Sequence, residues 1–594
     1  MKDNNIFQYF VFYYRFLRNK VLIFLFLSIA VGFLDGVGLA LFIPLLDSVN
    51  AGGDKSGDLG KLSFITDLIT GAGLPLTITV LLYFMVLIFF VKGIAKFVQI
   101  YYQSSLRQIF LKKVRYTLLR GLGALSYTGF LKLDAGTIQN ALTTEVQKLY
   151  SSFAYFFQSF QASAILGVYI SMAFLANPQF AVFVALGAGI SNLLYRQIYK
   201  KTKQASLSLS KRGSDFNGLL IQCVRYFKYL KSTGFFPKYE KKLVTVIDHT
   251  EQLNKRIGVY GAITQSAKEP IILLIVVLVI QAQLKWFDVT FSSIMVSLLL
   301  FYRALSFLAA VQNNWQTFIQ NIGSIHTIQK MMSDLDEFKE KSGAEPFKSL
   351  STGIDVRGLT FNFGDKTVLK DLNFEIPKNK TVAFIGESGS GKTTLANIIS
   401  GLLHAGDAGV YVDNAPLSQI DLSSYRSHIG YISQDPVVFN DTVYNNVTLW
   451  DDNTPENRAR FQQAMRLAHL ERFLAELSEQ EQTVLGDSGV LISGGQKQRV
   501  SIARELYKKN ISVLILDEAT SALDSETEKI IQENIENLHG QYTIIVIAHR
   551  LSTIKSADCI ILLEKGNIAS QGDFNELMKV SPQFKRMVQL QEFN

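Results

Sequence analysis

Gly386, Gly391, Lys392 and Thr393 stand in "FIGESGSGKTT", Phe384–Thr394, at the spacing G-x-x-x-x-G-K-[ST]. A buried-strand run, "TVAFI", precedes the loop, and a helical pattern, "TTLANIISGL", follows it. A strand–loop–helix of this kind turns consecutive backbone N–H groups toward a phosphate at a helix N-terminus, where the peptide dipoles favour an anion. Glycines are required because side chains would block the close approach. Glu387, Ser388, Gly389, Ser390 and Thr394 complete the cradle. Lys392 would neutralise charge on the β- and γ-phosphates of a nucleotide, and Thr393 would ligate Mg²⁺.

A phosphate cradle needs a metal carboxylate and a water activator to become a hydrolytic site. "SVLILDEAT" offers both. Val513–Leu516 reads as a central parallel strand. Asp517 at its end would hold Mg²⁺ through water, and Glu518 beside it would polarise an attacking water as a general base. The bland reading, a strand capped by two acids, loses weight once the glycine loop upstream is counted.

Seven stretches occur in one order: "FNFGDKTVL" with Phe363, the glycine loop, "YISQDP" with Gln434, "LISGGQKQRVSIARELY", "LILDE", "SALD" ending at Asp524, and "IAHRLST" with His549. In this set residues 351–594 resemble the ATP-binding cassette family. The resemblance implies a role for each piece. Phe363 would stack on adenine, where a tyrosine is commoner; stacking needs only the ring face. Gln434 would touch Mg²⁺ and the water. Ser493, Gly494, Gly495 and Gln496 match the family signature, which would bind the γ-phosphate of nucleotide held by a second copy. His549 would hydrogen-bond that phosphate, and Asp524 would lie at the dimer seam. Ile492 replaces the usual leucine and Asp487 a frequent glutamate, both away from the phosphate chemistry.

The elements that would position this site make up under half of the 594 residues. The whole chain is 48% hydrophobic and only 18% charged, below the quarter or so usual in soluble proteins. Its net charge of +9 is uneven: residues 351–594 carry 23 basic and 31 acidic side chains, a balance of −8, against +17 for the first 350. A basic excess raises nucleic acid as a partner. Here it borders apolar spans, and orientation in a membrane accounts for it without nucleic acid. The two cysteines, Cys223 and Cys559, lie far apart and suggest neither a disulfide framework nor a metal cluster.

Six stretches approach the 20 or so apolar residues that a bilayer requires: 21–46, 76–99, 153–176, 179–194, 260–281 and 291–311. The first is too long for a signal peptide and lacks a small-residue cleavage site. Before it, "NIFQYFVFYYRFLRNK" reads as an interfacial helix on the cytoplasmic surface. The long connections after the second and fourth spans are rich in Lys and Arg, which places them and both termini in the cytoplasm. They read as helices continuing into the cytosol, each with a turn at its tip, around "SYTGFLKLDAG" and "YFKYLKSTGFFPKYE". Charges inside the spans are costly and face a cavity or a partner. For Asp35 and Arg303 the choice is a structural ion pair or a substrate-facing role. Lys268 pairs with Glu269 or faces substrate, and Lys92 and Lys96 can snorkel to the interface.

The expected organisation is an interfacial helix over 1–20, an all-α six-helix transmembrane domain over 21–320, a polar linker over 321–350 and an α/β P-loop nucleotide-binding domain over 351–594. Six spans followed by one cassette resemble a half-transporter of the exporter type, a homodimer or heterodimer in the cytoplasmic membrane using ATP and Mg²⁺. "LFIPLLD" and "FYRALSF" extend the resemblance toward bacterial flippases of lipid-linked oligosaccharides. The alternatives are a multidrug or peptide exporter of the same fold, or a membrane protein that binds ATP for regulation without transport.

Overall fold

The computed structural model describes residues 6–42, 77–176, 178–286, 291–406, 409–517, 538–548 and 554–592, and isolated positions between them. The chain divides into two compact units. The first holds residues up to Leu125 and Gly129–Lys339; the second holds Ser126–Thr128 and Glu340 onward.

The first unit is helical. Helix α1, Ile6–Leu17, buries Tyr9, Phe12, Tyr13 and Leu17, three and four residues apart, and leaves Ile6, Phe7 and Val11 exposed. That is the one-sided pattern of an amphipathic helix. Its buried face meets an aromatic cluster of Phe110, Phe153, Phe156 and Phe157, where Tyr13 is fully enclosed and its hydroxyl lies 3.0 Å from that of Ser152. Then follow α2 (Lys20–Ala40), α3 (Ile78–Gly123), α4 (Tyr127–Lys132), α5 (Ala135–Asn140), α6 (Val146–Ala176), α7 (Pro178–Arg225), α8 (Phe227–Ser232), α9 (Phe236–Ser266), α10 (Lys268–Trp286), α11 (Phe291–Gln320) and α12 (Ile322–Glu337). The helix count is consistent with six spans. Among the described residues, four helical stretches are long and apolar enough to cross a membrane by length and composition: Lys20–Leu39, Ile78–Gly123, Ala135–Met172 and Phe236–Leu278.

Helices α3 and α7 run to 46 and 48 residues, so both continue far past their apolar parts. Beyond its apolar start, α7 carries Thr202, Ser206, Ser210 and Ser214 on one row, four residues apart. The row is hydrogen-bonded across to other helices. Thr202 accepts from Gln316 (3.0 Å), Ser206 donates to the carbonyl of Gln320 (2.7 Å), Ser210 donates to the buried Glu145 (2.9 Å), and Ser214 accepts from Asn140 (3.1 Å). At the tips, where the sequence suggests turns, the chain forms the short helices α4 and α8. Where it suggests a linker from residue 321, α12 buries Ile322, Ile325, Ile328, Met331 and Leu335 instead. The division between units falls after Lys339.

The second unit is α/β. One sheet has the order β2-β1-β4-β5, with β1 (Gly353–Phe363), β2 (Lys366–Pro377), β4 (Val410–Val412) and β5 (Ala415–Pro416) antiparallel. The other has the order β10-β9-β3-β8-β7-β6. Its strands β3 (Thr381–Ile385), β6 (Ile429–Ile432), β7 (Val513–Asp517), β8 (Thr543–Ile547) and β9 (Cys559–Glu564) are parallel, and β10 (Asn567–Gly572) is antiparallel to β9. Strands β3, β7 and β8 are buried along their full length, as expected of parallel strands covered on both faces. Among the described residues its helices are α13 (Lys392–Ile399), α14 (Leu422–Ser427), α15 (Val443–Thr448), α16 (Pro455–Leu467), α17 (Glu471–Glu476), α18 (Gly494–Tyr507), α19 (Phe574–Val580) and α20 (Pro582–Glu592).

Candidate functional site

In an open parallel sheet, ligands bind outside the carboxyl ends of the strands. At that edge β3 leads into the glycine loop, β7 ends at Asp517, and β6 leads to Gln434, with the strands ordered β3-β8-β7-β6.

The glycine loop has the backbone of an anion cradle. Gly386 and Gly391 have φ of +143° and +107°. A Cβ at Gly386 would lie 2.2 Å from the carbonyl oxygen of Leu563, and one at Gly391 would lie 2.6 Å from Leu369 Cδ2. Conformation and space therefore both demand glycine. Gly391 is the N-cap of α13 and supplies no side-chain cap to the start of that helix. Lys392 is buried, and its Nζ donates to the carbonyls of Gly386 (2.8 Å) and Glu387 (3.0 Å). Ser390 Oγ is buried and has no hydrogen-bond partner among the described residues. Uncapped amides, a lysine arched over the loop and an orphaned hydroxyl are the donor set that a nucleotide's phosphates would satisfy. Glu387, Ser388, Gly389 and Thr393 are exposed at the loop surface, and Thr394 is half-buried.

Asp517 is nearly buried at the end of β7. The hydroxyl of Tyr431 lies 3.5 Å from its Oδ2 and 3.1 Å from Asn397 Oδ1 on α13. Burial, with the Asp517 charge beside it, pushes the Tyr431 phenol well above its ordinary pKa, so it stays a donor to that carboxylate. The backbone N–H of Tyr431 donates to Glu505 on α18 (3.2 Å). Tyr431 thus joins β6, β7, the phosphate-loop helix and the signature helix, a role that "YISQDP" does not disclose by itself. Gln434 is exposed just past β6. Thr393 after β3, Gln434 after β6 and Asp517 at the end of β7 each carry a hard oxygen donor. That set suits a cation such as Mg²⁺, which takes one or two carboxylates and completes its shell with phosphate oxygens and water.

Ser493 is the N-cap of α18. Its Oγ accepts from the N–H of Gln496 (3.2 Å), and the Gln496 side chain accepts from the N–H of Ser493 (2.8 Å). This capping box is the element that spacing to a trans nucleotide does not reveal. Ser493 and Gly494 remain exposed, Gly495 is half-buried, and the Ser493 hydroxyl proton is not used by the cap. Phe363 ends β1 with its ring 41% exposed and edge-on to Phe361 at 4.9 Å, which leaves a face open for stacking. Glu518, Asp524 and His549 lie outside the described residues. The strands that lead to Glu518 and His549 are neighbours, with Asp517 opposite Ile547.

In the first unit, Asp35 on α2 is buried. It pairs with Lys92 on α3 and accepts from the hydroxyl of Tyr169 on α6 (3.0 Å). The structural ion pair is therefore Asp35–Lys92; Asp35 is not paired with Arg303, and Lys92 does not snorkel away. A second polar layer lies seven residues away on both α2 and α3. There Gln99 donates to Ser28 (2.8 Å) and accepts from Gln161 (3.1 Å). Arg303 is exposed on α11. Lys268 begins α10, and its side chain lies outside the described residues.

A family model described as the ABC transporter matches residues 369–521, and one described as the ABC transporter transmembrane region matches residues 21–308. The heterocyst differentiation ATP-binding protein HepA of Nostoc sp. is 30% identical over 467 residues, covering 77% of this chain and 75% of that protein. An ATP-dependent lipid A-core flippase of Francisella tularensis is 28% identical over 573 residues, covering 93% of this chain and 90% of that protein. The solved structure of a bacterial Atm1-family ABC exporter with ATP bound superposes with a TM-score of 0.79 at 21% identity, covering 97% of this chain and 98% of that one. That likeness establishes the exporter fold. With both halves matched, and with a phosphate cradle at the carboxyl edge of the sheet, the chain belongs to the ABC transporter family, an ATP-binding membrane protein whose ATPase is coupled to transport.

Proposed function

We propose that this ATPase exports or flips a lipid-like or lipid-linked molecule across the cytoplasmic membrane, with the termini and the nucleotide-binding unit on the cytoplasmic side. The observation that carries this reading is the near full-length alignment with relatives named ATP-dependent lipid A-core flippases. Two copies would form the working unit, because the signature at Ser493 and the phosphate loop at Lys392 complete a site only across a dimer. In each site Phe363 stacks on the base, and the loop from Gly386 to Thr394 with Lys392 holds the phosphates. Thr393, Gln434 and Asp517 would hold Mg²⁺, which supplies charge neutralisation at the phosphates. Glu518 takes the proton of the attacking water and His549 holds the γ-phosphate. Ser493, Gly494, Gly495 and Gln496 of the second copy close the site, and Asp524 lies at the seam. Closure and release of this sandwich drive alternating access of the spans. Arg303, exposed in the sixth span, would meet an anionic headgroup, with Lys268 near the fifth span; Asp35 is assigned to structure.

The test is reconstitution in liposomes with candidate lipids, following leaflet exchange and ATP turnover together. Glu518→Gln should trap nucleotide and abolish turnover. Arg303→Ala should impair exchange more than basal turnover. Turnover indifferent to every lipid, with none moved, would overturn the reading.

A further inference from the structure

The segment after α12 reads in sequence as a polar linker, and such a linker behaves as a flexible chain that transmits little. In the structure it is strapped to one short helix. Glu340 receives both terminal nitrogens of Arg426 (2.9 and 2.5 Å), a two-pronged pair with fixed geometry. Ser342 Oγ donates to Asp421 (3.3 Å) and accepts from the N–H of Leu422 (2.9 Å). The N–H groups of Gly343 and Glu345 donate to the carbonyls of Ile420 (3.0 Å) and Gln419 (3.1 Å), and the N–H of Asp421 donates back to Glu345 (2.7 Å). The N–H of Phe347 donates to Ser424 Oγ (2.8 Å), and its ring stands edge-on to Tyr425 and His428. The approach at Gly343 is so close that a Cβ there would lie 1.9 Å from the carbonyl carbon of Gln419.

These partners all fall within Gln419–His428, the helix α14 and its flanks. His428 is followed at once by β6, whose far end delivers Gln434. We propose that this strap is a line of coupling in its own right. A displacement of the end of α12 passes through the Lys339–Glu340 peptide bond to α14, and along β6 to Gln434. Glu340, Gly343 and Arg426 are then positioning residues, acting on the nucleotide through Gln434. The inference rests on the reading of Gln434 as a site residue.

The experiment is hydrogen exchange of the full chain in nanodiscs of phosphatidylethanolamine and phosphatidylglycerol, with and without ATP, beside ATPase assays in the same discs. Gly343→Ala should open the amides of Gly343 and Glu345 and speed exchange along β6 and at Gln434 by about tenfold, as for a locally opened segment. Glu340→Arg and Arg426→Glu should each do the same, and their combination should restore protection. The single variants should also blunt the difference in β6 exchange that ATP produces. If β6 and Gln434 keep wild-type exchange while the strap amides are open, the strap is a passive tether and the proposal fails. Gln434→Ala separates the two readings: it should leave strap and β6 protection intact while lowering hydrolysis. If hydrolysis is unaffected, Gln434 is not a site residue and the coupling has no endpoint there.

Discussion

A carboxylate inside a bilayer must be neutralised, and Asp35 shows how this chain does it. Lys92 on the adjacent span supplies the charge, and Tyr169 on the third span adds a neutral hydrogen bond. Removing only the acid leaves an ammonium group behind. Lys92 keeps 22% exposure and can lean toward the interface, so the cost falls below that of a fully buried orphan, at about 2 kcal/mol. Asp35→Asn should therefore lower the thermal midpoint in detergent by a few degrees. Asp35→Asn with Lys92→Gln should recover more than half of the loss. Equal loss in the double variant would mean that the pair contributes nothing as a pair. Sequence marks Asp35 as costly because polarity is a property of the residue. Its partner, 57 positions away, is a property of helix register, which hydropathy does not encode. The glycine loop is more legible: its glycines, lysine and threonine are contiguous, although the atoms that exclude a side chain at Gly386 and Gly391 belong to Leu563 and Leu369, elsewhere in the chain.

At the scale of elements, legibility tracks how local the determining force is. The buried runs "TVAFI" and "VLILD" become strands because parallel strands are covered on both faces. Helix α12 is less plain. Its apolar residues recur at helical spacing, but it follows a membrane span and its polar face makes it look like a linker beside that span. The tip helices α4 and α8 have six residues each, too few for periodicity to declare them. The start of β1 is held by a contact that no local pattern announces. Asp413 accepts from the N–H groups of Ser351 (2.8 Å), Thr352 (2.6 Å) and Gly353 (3.2 Å), and from the Thr352 hydroxyl (2.9 Å). Burial pushes its carboxyl upward, but these donors outweigh burial and hold it below its ordinary value of 3.8. The folded state thus binds this proton more weakly than the unfolded chain does. The clamp is at full strength above 3.8 and is lost as pH falls below that value. Amide exchange at Ser351–Gly353, corrected for intrinsic pH dependence, should accelerate on acidification through that range. Asp413→Asn should lack the step.

Across the whole molecule, the proposed function requires that neither copy own a complete nucleotide site. The phosphate loop with Lys392 and the signature cap with Ser493 lie on different helices, α13 and α18, and each exposes part of its surface. If a site is composed of one loop and the partner's signature, defects in the two should complement. A dimer of Lys392→Ala chains lacks both loops, and a dimer of Ser493→Arg chains lacks both signatures; each should be inactive. In a mixed dimer one site carries both defects, while the other joins an intact Lys392 to an intact Ser493. Random pairing makes about half the dimers mixed, so co-expression should return roughly a quarter of wild-type ATPase if the sites turn over independently. The assay is ATP turnover of the co-expressed chains purified through a tag common to both; selecting mixed dimers through two different tags should raise the recovery to about half. Sites confined to single chains would give no recovery, because every chain in the mixture carries one defect. The Ser493 variant must be compared with Ser493→Ala, which removes the capping hydroxyl without bulk and should cost about 1 kcal/mol of helix stability. If Ser493→Ala alone unfolds α18, loss in the arginine variant reports the cap, and Gly495→Val, which leaves both capping residues in place, takes its role in the mixing experiment.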